Sequence, residues 1–300
     1  MKIAVIGSTR IASIHIISLL KSKNINKIKK IYLISRQLKK AKEFLCKYNF
    51  NNNNKIISAD YKIFDDCKFD IILICVNTNH HHSCIDRVQK YSTNILVEKP
   101  LVSISLLGKK YNKVINKIYK ENRKLAVCYP MKYFAKSIKK NFNFQKPIKK
   151  IELNYTTNGK HKNTDIRDDL LPHALSFLYE LLGDKKKLKH IRLESNMTKN
   201  FWKGKIYYKN LEFIMNFKQI KIKNSKFFVK INNLKIDRIT KIFKNQFLTT
   251  IVFKKKKIIV KNPMHEFIDS MLDNTNNDKW FISNSKITRE FLKLNYLFSL

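Results

Sequence analysis

The chain has 300 residues, 44% of them hydrophobic, and 62 basic side chains against 22 acidic ones, for a net charge of +40. The hydrophobic fraction suffices for a real core and excludes global disorder, and no apolar run approaches the ~18 residues of a membrane span. The charge points either to a polyanion-binding surface or to genome composition, since 54 of the basic residues are Lys and only 8 are Arg. Because Lys, Asn and Ile have AT-rich codons and nucleic-acid surfaces lean on Arg, we favour composition and expect no nucleic-acid or membrane partner.

The cysteines indicate a reducing compartment. There are five, an odd number, and none forms a C-x-x-C pair. This favours neither a disulfide framework nor a zinc site, so we predict no metal. Arg10 and His15 interrupt the apolar start of the chain, which therefore does not read as a signal peptide. We expect a cytoplasmic protein.

In the first half, short apolar runs alternate with segments of helical spacing, beginning with a run that ends on Gly7. Phe69 to Val76 is apolar at every position except Asp70, as expected for a strand that is buried on both faces. The alternation predicts a parallel, doubly wound α/β sheet. Strands are predicted at Lys2 to Gly7, Lys30 to Ser35, Lys55 to Ser58, Phe69 to Val76, Asn94 to Val97 and Lys124 to Tyr129, and helices at Ile11 to Leu20, Gln37 to Tyr48, His82 to Lys90 and Ser105 to Glu121.

The pattern of apolar residues changes after about residue 145. A strand at Ile148 to Thr156 precedes a helix at Asp168 to Leu182, which Gly183 would end. From His190 to Lys261, short runs of Ile, Phe, Tyr and Val are separated by polar pairs such as Lys223-Asn224, which predicts an antiparallel meander. Helical spacing returns at Met264 to Leu272 and Ser285 to Leu297. We therefore predict a Rossmann-type domain at residues 1–127 and an α+β domain with one large, mostly antiparallel sheet at 128–300.

The turn after the first strand lies where a dinucleotide fold binds the cofactor's pyrophosphate. Backbone amides of Gly7, Ser8, Thr9, Arg10 and Ile11 and the following helix N-terminus are the predicted contacts. Thr9 stands where the G-x-G-x-x-G/A fingerprint has its second glycine. The alternative is an ordinary turn in an unrelated α/β fold.

The second strand ends at Ser35-Arg36, without the acidic residue that would bind the ribose hydroxyls of NAD. A hydroxyl and a guanidinium suit a 2′-phosphate instead, because Arg forks onto phosphate oxygens. We predict NADP as the preferred cofactor and NAD as the alternative. The competing interpretation is a solvated Arg in a basic protein.

Four segments of the chain stand in an order that carries a resemblance. They are IGSTRIASIH at Ile6 to His15, DIILICVNTNHHH at Asp70 to His82, LVEKPL at Leu96 to Leu101 and DLLPHALSFLYELLG at Asp169 to Gly183. The Glu-Lys-Pro triplet after the fifth strand is the most specific of these marks, and a D-x-x-x-H pair follows some seventy residues later. Together the segments resemble the Gfo/Idh/MocA oxidoreductases, which include glucose-fructose oxidoreductase, inositol dehydrogenases and sugar-nucleotide dehydrogenases. The resemblance covers nearly the whole chain.

The resemblance implies a role for each matching residue. Lys99 matches the catalytic lysine beside the nicotinamide, and Glu98 matches the residue that positions it. His173 matches the general acid/base and Asp169 the carboxylate that orients the substrate. Both lie on one helix face that in family members closes over the cofactor.

A loop under the nicotinamide ribose is also implied, and Asn77, Thr78 and His82 match it, with Thr78 in place of the usual proline. Glu98 and Lys99 are counted among the cofactor contacts as well.

The resemblance implies an NAD(P)-dependent oxidoreductase that acts on a CH-OH group of a sugar, sugar nucleotide or polyol, and that forms a homodimer or homotetramer. The alternative is a catalytically silent NAD(P)-binding regulatory or sensor protein of the same fold. A nucleic-acid binder is a third hypothesis, although no helix-turn-helix or zinc module is recognisable.

Overall fold

The computed structural model describes residues 1–92, 94–104, 108–121, 124–144, 147–159, 161, 164–183, 191–222, 225–243 and 246–300. These residues form two compact units, Met1–Cys128 with Met264–Glu290, and Tyr129–Pro263 with Phe291–Leu300. The predicted domains, 1–127 and 128–300, stay predictions. In the structure the first unit also includes a late segment of the chain.

The first unit is built on a parallel sheet of six strands with the order β3-β2-β1-β4-β5-β6. This is the order of doubly wound dinucleotide-binding folds. All four residues of β4 are buried because both faces of the sheet are covered, which explains the continuous apolar run seen in the sequence. The strands are β1 (Lys2–Ile6), β2 (Lys30–Ser35), β3 (Ile56–Asp60), β4 (Ile71–Ile74), β5 (Ile95–Val97) and β6 (Leu125–Val127).

The helices of the first unit follow the strands in the predicted alternation. A short helix at Ile63–Asp66 was not expected, and Ser105, the first residue of one predicted helix, lies outside the described residues. The helices are α1 (Arg10–Leu20), α2 (Leu38–Lys47), α3 (Ile63–Asp66), α4 (His81–Val88) and α5 (Tyr111–Glu121).

The late helical segment Met264–Glu290 completes the first unit. The helix Pro263–Asp273 contacts the segment after α1, where Asn24 donates to Asp273 at 3.0 Å and Ser22 donates to Asp269. Asn284, in the helix Asp278–Leu297, caps the edge strand β6. Its Oδ1 accepts the Val127 N–H at 2.8 Å, and its Nδ2 donates to the Val127 carbonyl at 3.0 Å. A side-chain amide thus takes the place of a neighbouring strand.

The second unit has an eight-stranded sheet with the order β14-β13-β12-β11-β7-β10-β9-β8. Among the described residues of this sheet, only β7 and β10 pair in parallel and all other neighbours are antiparallel, so the predicted fold class is confirmed. The strands are β7 (Lys150–Asn158), β8 (Arg192–Thr198), β9 (Phe201–Tyr208), β10 (Leu211–Ile220), β11 (Lys226–Ile231), β12 (Leu234–Phe243), β13 (Gln246–Phe253) and β14 (Lys256–Val260). His190 and Lys223-Asn224 lie outside the described residues.

Two further helices, α6 (Pro130–Asn141) and α7 (Thr164–Leu182), cover one face of this sheet. Phe134 of α6 and Phe177 of α7 both pack against Phe227 of β11, with ring centroids 5.5 and 6.4 Å apart. The sequence analysis assigned no element to Pro130–Asn141, although a proline at its first position is a favourable helix start. Among the described residues no helix is long and apolar enough to cross a membrane.

Candidate active site

The turn after β1 packs closely against the backbone that follows β4. Gly7 has φ +109°, and a Cβ there would lie 2.9 Å from the Cys75 carbonyl oxygen, so only glycine fits. Thr9, at the second fingerprint position, turns its hydroxyl away and donates to the same oxygen at 2.8 Å. The helix α1 begins at Arg10 directly afterwards. The threonine side chain is therefore tied to the backbone at the end of β4.

A cavity of about 510 Å³ opens at the carboxyl ends of β1, β2 and β4, where open α/β sheets bind their ligands. Half of the residues predicted to bind the cofactor line it, namely Gly7, Ser8, Thr9, Ser35, Arg36 and Asn77. The other six do not line it, and their contact with a cofactor stays a prediction; they are Arg10, Ile11, Thr78, His82, Glu98 and Lys99.

The charge of this cavity suits a polyanion. Arg36, Lys40 and Arg87 line it, and no acidic residue does so within the described part of the chain. The Arg87 guanidinium lies 4.0 Å above the ring of Tyr61, which also lines the cavity. Positive charges gathered in one concave site attract an anionic ligand, and the phosphates of a dinucleotide are negatively charged. Lys40, Tyr61 and Arg87 were not singled out from the sequence, because they stand on three separate elements.

A buried ion pair lies beneath the Glu-Lys-Pro turn. His15 Nε2 is 2.6 Å from Glu98 Oε1, and only 1% of His15 and 7% of Glu98 is exposed. The second oxygen of Glu98 accepts the backbone N–H of Lys99 at 3.2 Å. The Glu98 carboxylate therefore joins His15, 83 residues earlier in the sequence, to the backbone of the predicted catalytic lysine.

The environment keeps both members of this pair ionised. Burial alone would lower the pKa of His15, but Cys75, Cys128 and Glu98 outweigh it and hold that pKa well above its usual value. For Glu98, burial would raise the pKa, and the hydrogen bond and charge of His15 overcome it, so that the pKa is lowered. Burial also raises the pKa of the Cys75 and Cys128 thiols.

The same cluster offers atoms that could ligate a metal. One atom each from His15, Glu98 and Cys128 lie within 4.8 Å of one another. His15 and Glu98 already bond each other directly, and Cys128 also contacts the Met264 sulfur at 3.7 Å. The group is therefore a packed hydrogen-bonded cluster, and we assign it no metal.

The histidine that joins the loop after β4 to the Glu-Lys-Pro turn is His81. Its Nδ1 lies 3.0 Å from the Pro100 carbonyl and its Nε2 3.0 Å from that of Val76, and it is 1% exposed. Burial lowers the pKa of His81, so the ring is neutral and donates to one of the two oxygens. His82, which the sequence analysis chose, instead faces Asp86 on α4, with Nε2 3.7 Å from a carboxylate oxygen.

In the second unit, α7 exposes two side chains from an otherwise buried stretch. Between Ile166 and Tyr179, only Asp169 and His173 are partly accessible. Gln219 of β10 donates to Asp169 Oδ2 at 2.8 Å, and the ring of Tyr155 on β7 lies 5.9 Å from that of His173. The helix thus presents the predicted D-x-x-x-H pair, and the sheet supplies a partner for each residue.

Comparison with known proteins supports the resemblance seen in the sequence. Residues 1–129 match the model of the Gfo/Idh/MocA oxidoreductase family with an NAD-binding Rossmann fold. This confirms the predicted resemblance and a nicotinamide dinucleotide as the cofactor class. No curated protein matches the chain in sequence.

Solved structures share the fold over nearly the whole chain. The dehydrogenase MviM from Clostridium difficile is 13% identical, with a TM-score of 0.66 and coverage of 98% of this chain and 97% of that one. KijD10, a 3-ketoreductase from Actinomadura kijaniata solved with NADP, is 12% identical, with a TM-score of 0.67 and coverage of 97% and 94%. Biliverdin reductase from Synechocystis sp. PCC 6803, solved with biliverdin and NADP+, is 10% identical, with a TM-score of 0.62 and coverage of 99% and 98%.

Proposed function

We propose that this chain, whose residues 1–129 match an NAD-binding oxidoreductase family, transfers a hydride between NADP and a carbinol or carbonyl carbon of a sugar, sugar nucleotide or polyol. The observation that carries the proposal is the basic cavity at the carboxyl ends of β1, β2 and β4, lined by Gly7, Ser35 and Arg36. The solved ketoreductase and biliverdin reductase that share the fold were both crystallised with NADP, which supports the cofactor but leaves the substrate open.

Each predicted site residue of the first unit has one role in this proposal. Gly7 to Thr9 hold the pyrophosphate through backbone amides, and Ser35 and Arg36 bind the 2′-phosphate. When bound, the nicotinamide accepts or supplies the hydride. The Lys99 ammonium hydrogen-bonds the reacting oxygen and stabilises the negative charge that develops on it.

Proton transfer is assigned to the second unit. In carbinol oxidation His173 takes the hydroxyl proton, and in carbonyl reduction it returns that proton to the oxygen. Asp169, held by Gln219, orients a neighbouring hydroxyl of the substrate. Cytoplasmic location and a homodimer or homotetramer remain predictions.

Cofactor preference is tested by titrating NADPH and NADH against the protein and following cofactor fluorescence. Replacing Arg36 with Ala should weaken NADPH binding by about 10-fold or more, the effect of losing a hydrogen bond to a charged group, and leave NADH binding unchanged. Lys39→Ala is the matched control, because Lys39 is an exposed neighbour that does not line the cavity. Equal effects of Arg36→Ala on both cofactors would contradict the assignment of the 2′-phosphate.

Catalysis is tested with a panel of sugars, sugar nucleotides and polyols. Lys99→Met should lower turnover by roughly 100-fold or more while NADPH still binds, since an electrostatic contact to the reacting oxygen is lost. Full turnover by Lys99→Met would refute this mechanism. NADPH binding by the unmodified protein without turnover of any panel member would favour the alternative of a regulatory or sensor protein.

A further inference from the structure

On the face of the eight-stranded sheet that α6 and α7 cover, one row of paired residues places a charged side chain among aromatic ones. Directly paired residues share a face, and the pairs Tyr155↔Phe227 and Phe227↔Arg238 place these three side chains in one row across β7, β11 and β12. Phe134 of α6 packs edge-on against Phe227 in the same cluster. Arg238 therefore stands where the row would otherwise continue with an apolar side chain.

Aromatic rings hold the Arg238 guanidinium without neutralising it. Its central carbon lies 4.6 Å from the ring centroid of Phe227 and 5.5 Å from those of Tyr155 and Phe134. Its nitrogens contact Met131 Sδ at 2.9 Å and the Tyr155 hydroxyl at 3.4 Å, and both acceptors are uncharged. In the described part of the chain, no carboxylate forms an ion pair with Arg238, whereas Arg192 pairs with Glu194.

The next row on the same face is polar. Two residues further along each strand lie Thr157, Gln219 and Thr240, with Gln219 paired to Thr157 and Thr240 paired to Thr249 of β13. Thr157 has a buried hydroxyl without a hydrogen-bond partner among the described residues, and Thr240 is exposed. The aromatic core thus ends at the row of Arg238, and hydroxyl and amide groups follow it.

This transition lies next to the proposed proton-transfer residues. The Tyr155 ring that contacts Arg238 is 5.9 Å from His173, and Gln219 in the polar row binds Asp169. A partly buried cation that lacks an anionic partner is unfavourable, and a guanidinium fixed by stacking still offers several N–H donors at its edge. Such an edge matches a carboxylate or a phosphate with two parallel hydrogen bonds.

We propose that Arg238, together with the Tyr155 hydroxyl, binds an anionic group of the substrate. The substrate class narrows to acidic or phosphorylated sugars, whose hydroxyls would face the row of Thr157, Gln219 and Thr240. This inference rests on the proposed function, because it presumes that the substrate occupies the face beside His173 and Asp169.

The test measures binding by calorimetry in the presence of saturating NADPH, with glucose, glucuronate and glucose 6-phosphate as probes. The unmodified protein should bind at least one anionic probe about 10-fold or more tightly than glucose, as expected for an ionic, forked contact. Glucuronate and glucose 6-phosphate distinguish a carboxylate from a phosphate ligand. Equal affinity for all three probes, or no binding of either anionic probe, would overturn the inference.

Variants of Arg238 test whether this residue causes the preference for an anionic probe over glucose. Arg238→Met should abolish the preference for the anionic probe and leave NADPH affinity unchanged, which reports an intact first unit. Arg238→Lys, which keeps the charge but not the fork, should retain part of the preference. Arg192→Met is the matched control, because Arg192 lies in the same unit on an exposed strand, and it should behave like the unmodified protein.

The two proposals fail in different ways. If the unmodified protein does not bind NADPH, the proposed function fails. If NADPH binds and Arg238→Met still prefers the anionic probe, only the anion site is wrong.

Discussion

Removing the imidazole of His15 should destabilise the first unit far more than removing another buried polar group from the same helix. His15 is 1% exposed and its Nε2 lies 2.6 Å from a Glu98 oxygen. In His15→Leu the carboxylate of Glu98 stays buried without its cation, which costs about 3–5 kcal/mol. With an m-value of about 3 kcal/mol/M, the urea midpoint falls by roughly 1–1.7 M.

The assay uses Trp280, which lies in the same compact unit and packs against Phe281 with ring centroids 4.9 Å apart. A Trp202→Phe background, carried by every protein in the series, makes Trp280 the single fluorescent tryptophan. Ser18→Ala is the matched control, because Ser18 is 0% exposed on α1 and its hydroxyl has no partner among the described residues. Its midpoint should stay within about 0.2 M of the parent, as for a substitution that breaks no contact.

A double variant separates the unpaired charge from the lost packing. Glu98→Gln added to His15→Leu removes the buried anion, and should recover at least half of the lost stability, because the two changes are coupled. Purely additive effects would show that the pair contributes through packing alone.

The pKa shifts of His15 and Glu98 also predict the pH range in which the first unit is most stable. The pKa of Glu98 is lowered from 4.5, so its contribution is present above that value and lost as pH falls through the folded-state pKa. The pKa of His15 is raised from 6.5, so its contribution is complete below that value and lost as pH rises through the folded-state pKa. Both are complete at about pH 5–6. A midpoint for His15→Leu equal to that of the parent, or an unchanged alkaline slope in the variant, would refute this reasoning.

Two further outcomes follow from glycine geometry and cysteine burial. Gly7→Ala should weaken NADPH binding by about 10-fold or more in a fluorescence titration, because its Cβ would lie 2.9 Å from the Cys75 oxygen at φ +109°. Gly108→Ala, where no atom lies within 4 Å of the added Cβ, should leave NADPH binding unchanged. An aromatic disulfide reagent should modify Cys46 alone in the folded protein, since the other four thiols are buried and react only in urea; more than one fast thiol would contradict the buried cluster around Cys75.

The fold could be predicted from the sequence because its signals are local. The apolar run that became β4, the strand that ends on Gly7, and the helix that Gly183 ends each lie within a few neighbouring residues. The position of β7 was not predictable in this way, since it enters the sheet between β10 and β11 and pairs with residues more than sixty positions away. Strand order of this kind depends on how distant segments pack together.

The site was predictable only in part, for the same reason. Motif positions identified Lys99, Asp169 and His173, but the side chains that hydrogen-bond to these residues or to their sequence neighbours come from elsewhere in the sequence. His15 contacts Glu98 across 83 residues, and Gln219 contacts Asp169 across 50. Within the run of three histidines, only packing distinguishes the buried His81 from His82.

The cap on β6 makes the order of synthesis matter. The chain leaves the ribosome from its first residue, and Asn284 follows Val127 by 157 residues. At about 5–20 residues per second, the edge of β6 therefore remains open for roughly 8–30 s while the second unit is being made. An open strand edge is a template for pairing with other chains. The unit that begins first is thus finished last, and a nascent chain must keep that edge shielded until its final helix emerges.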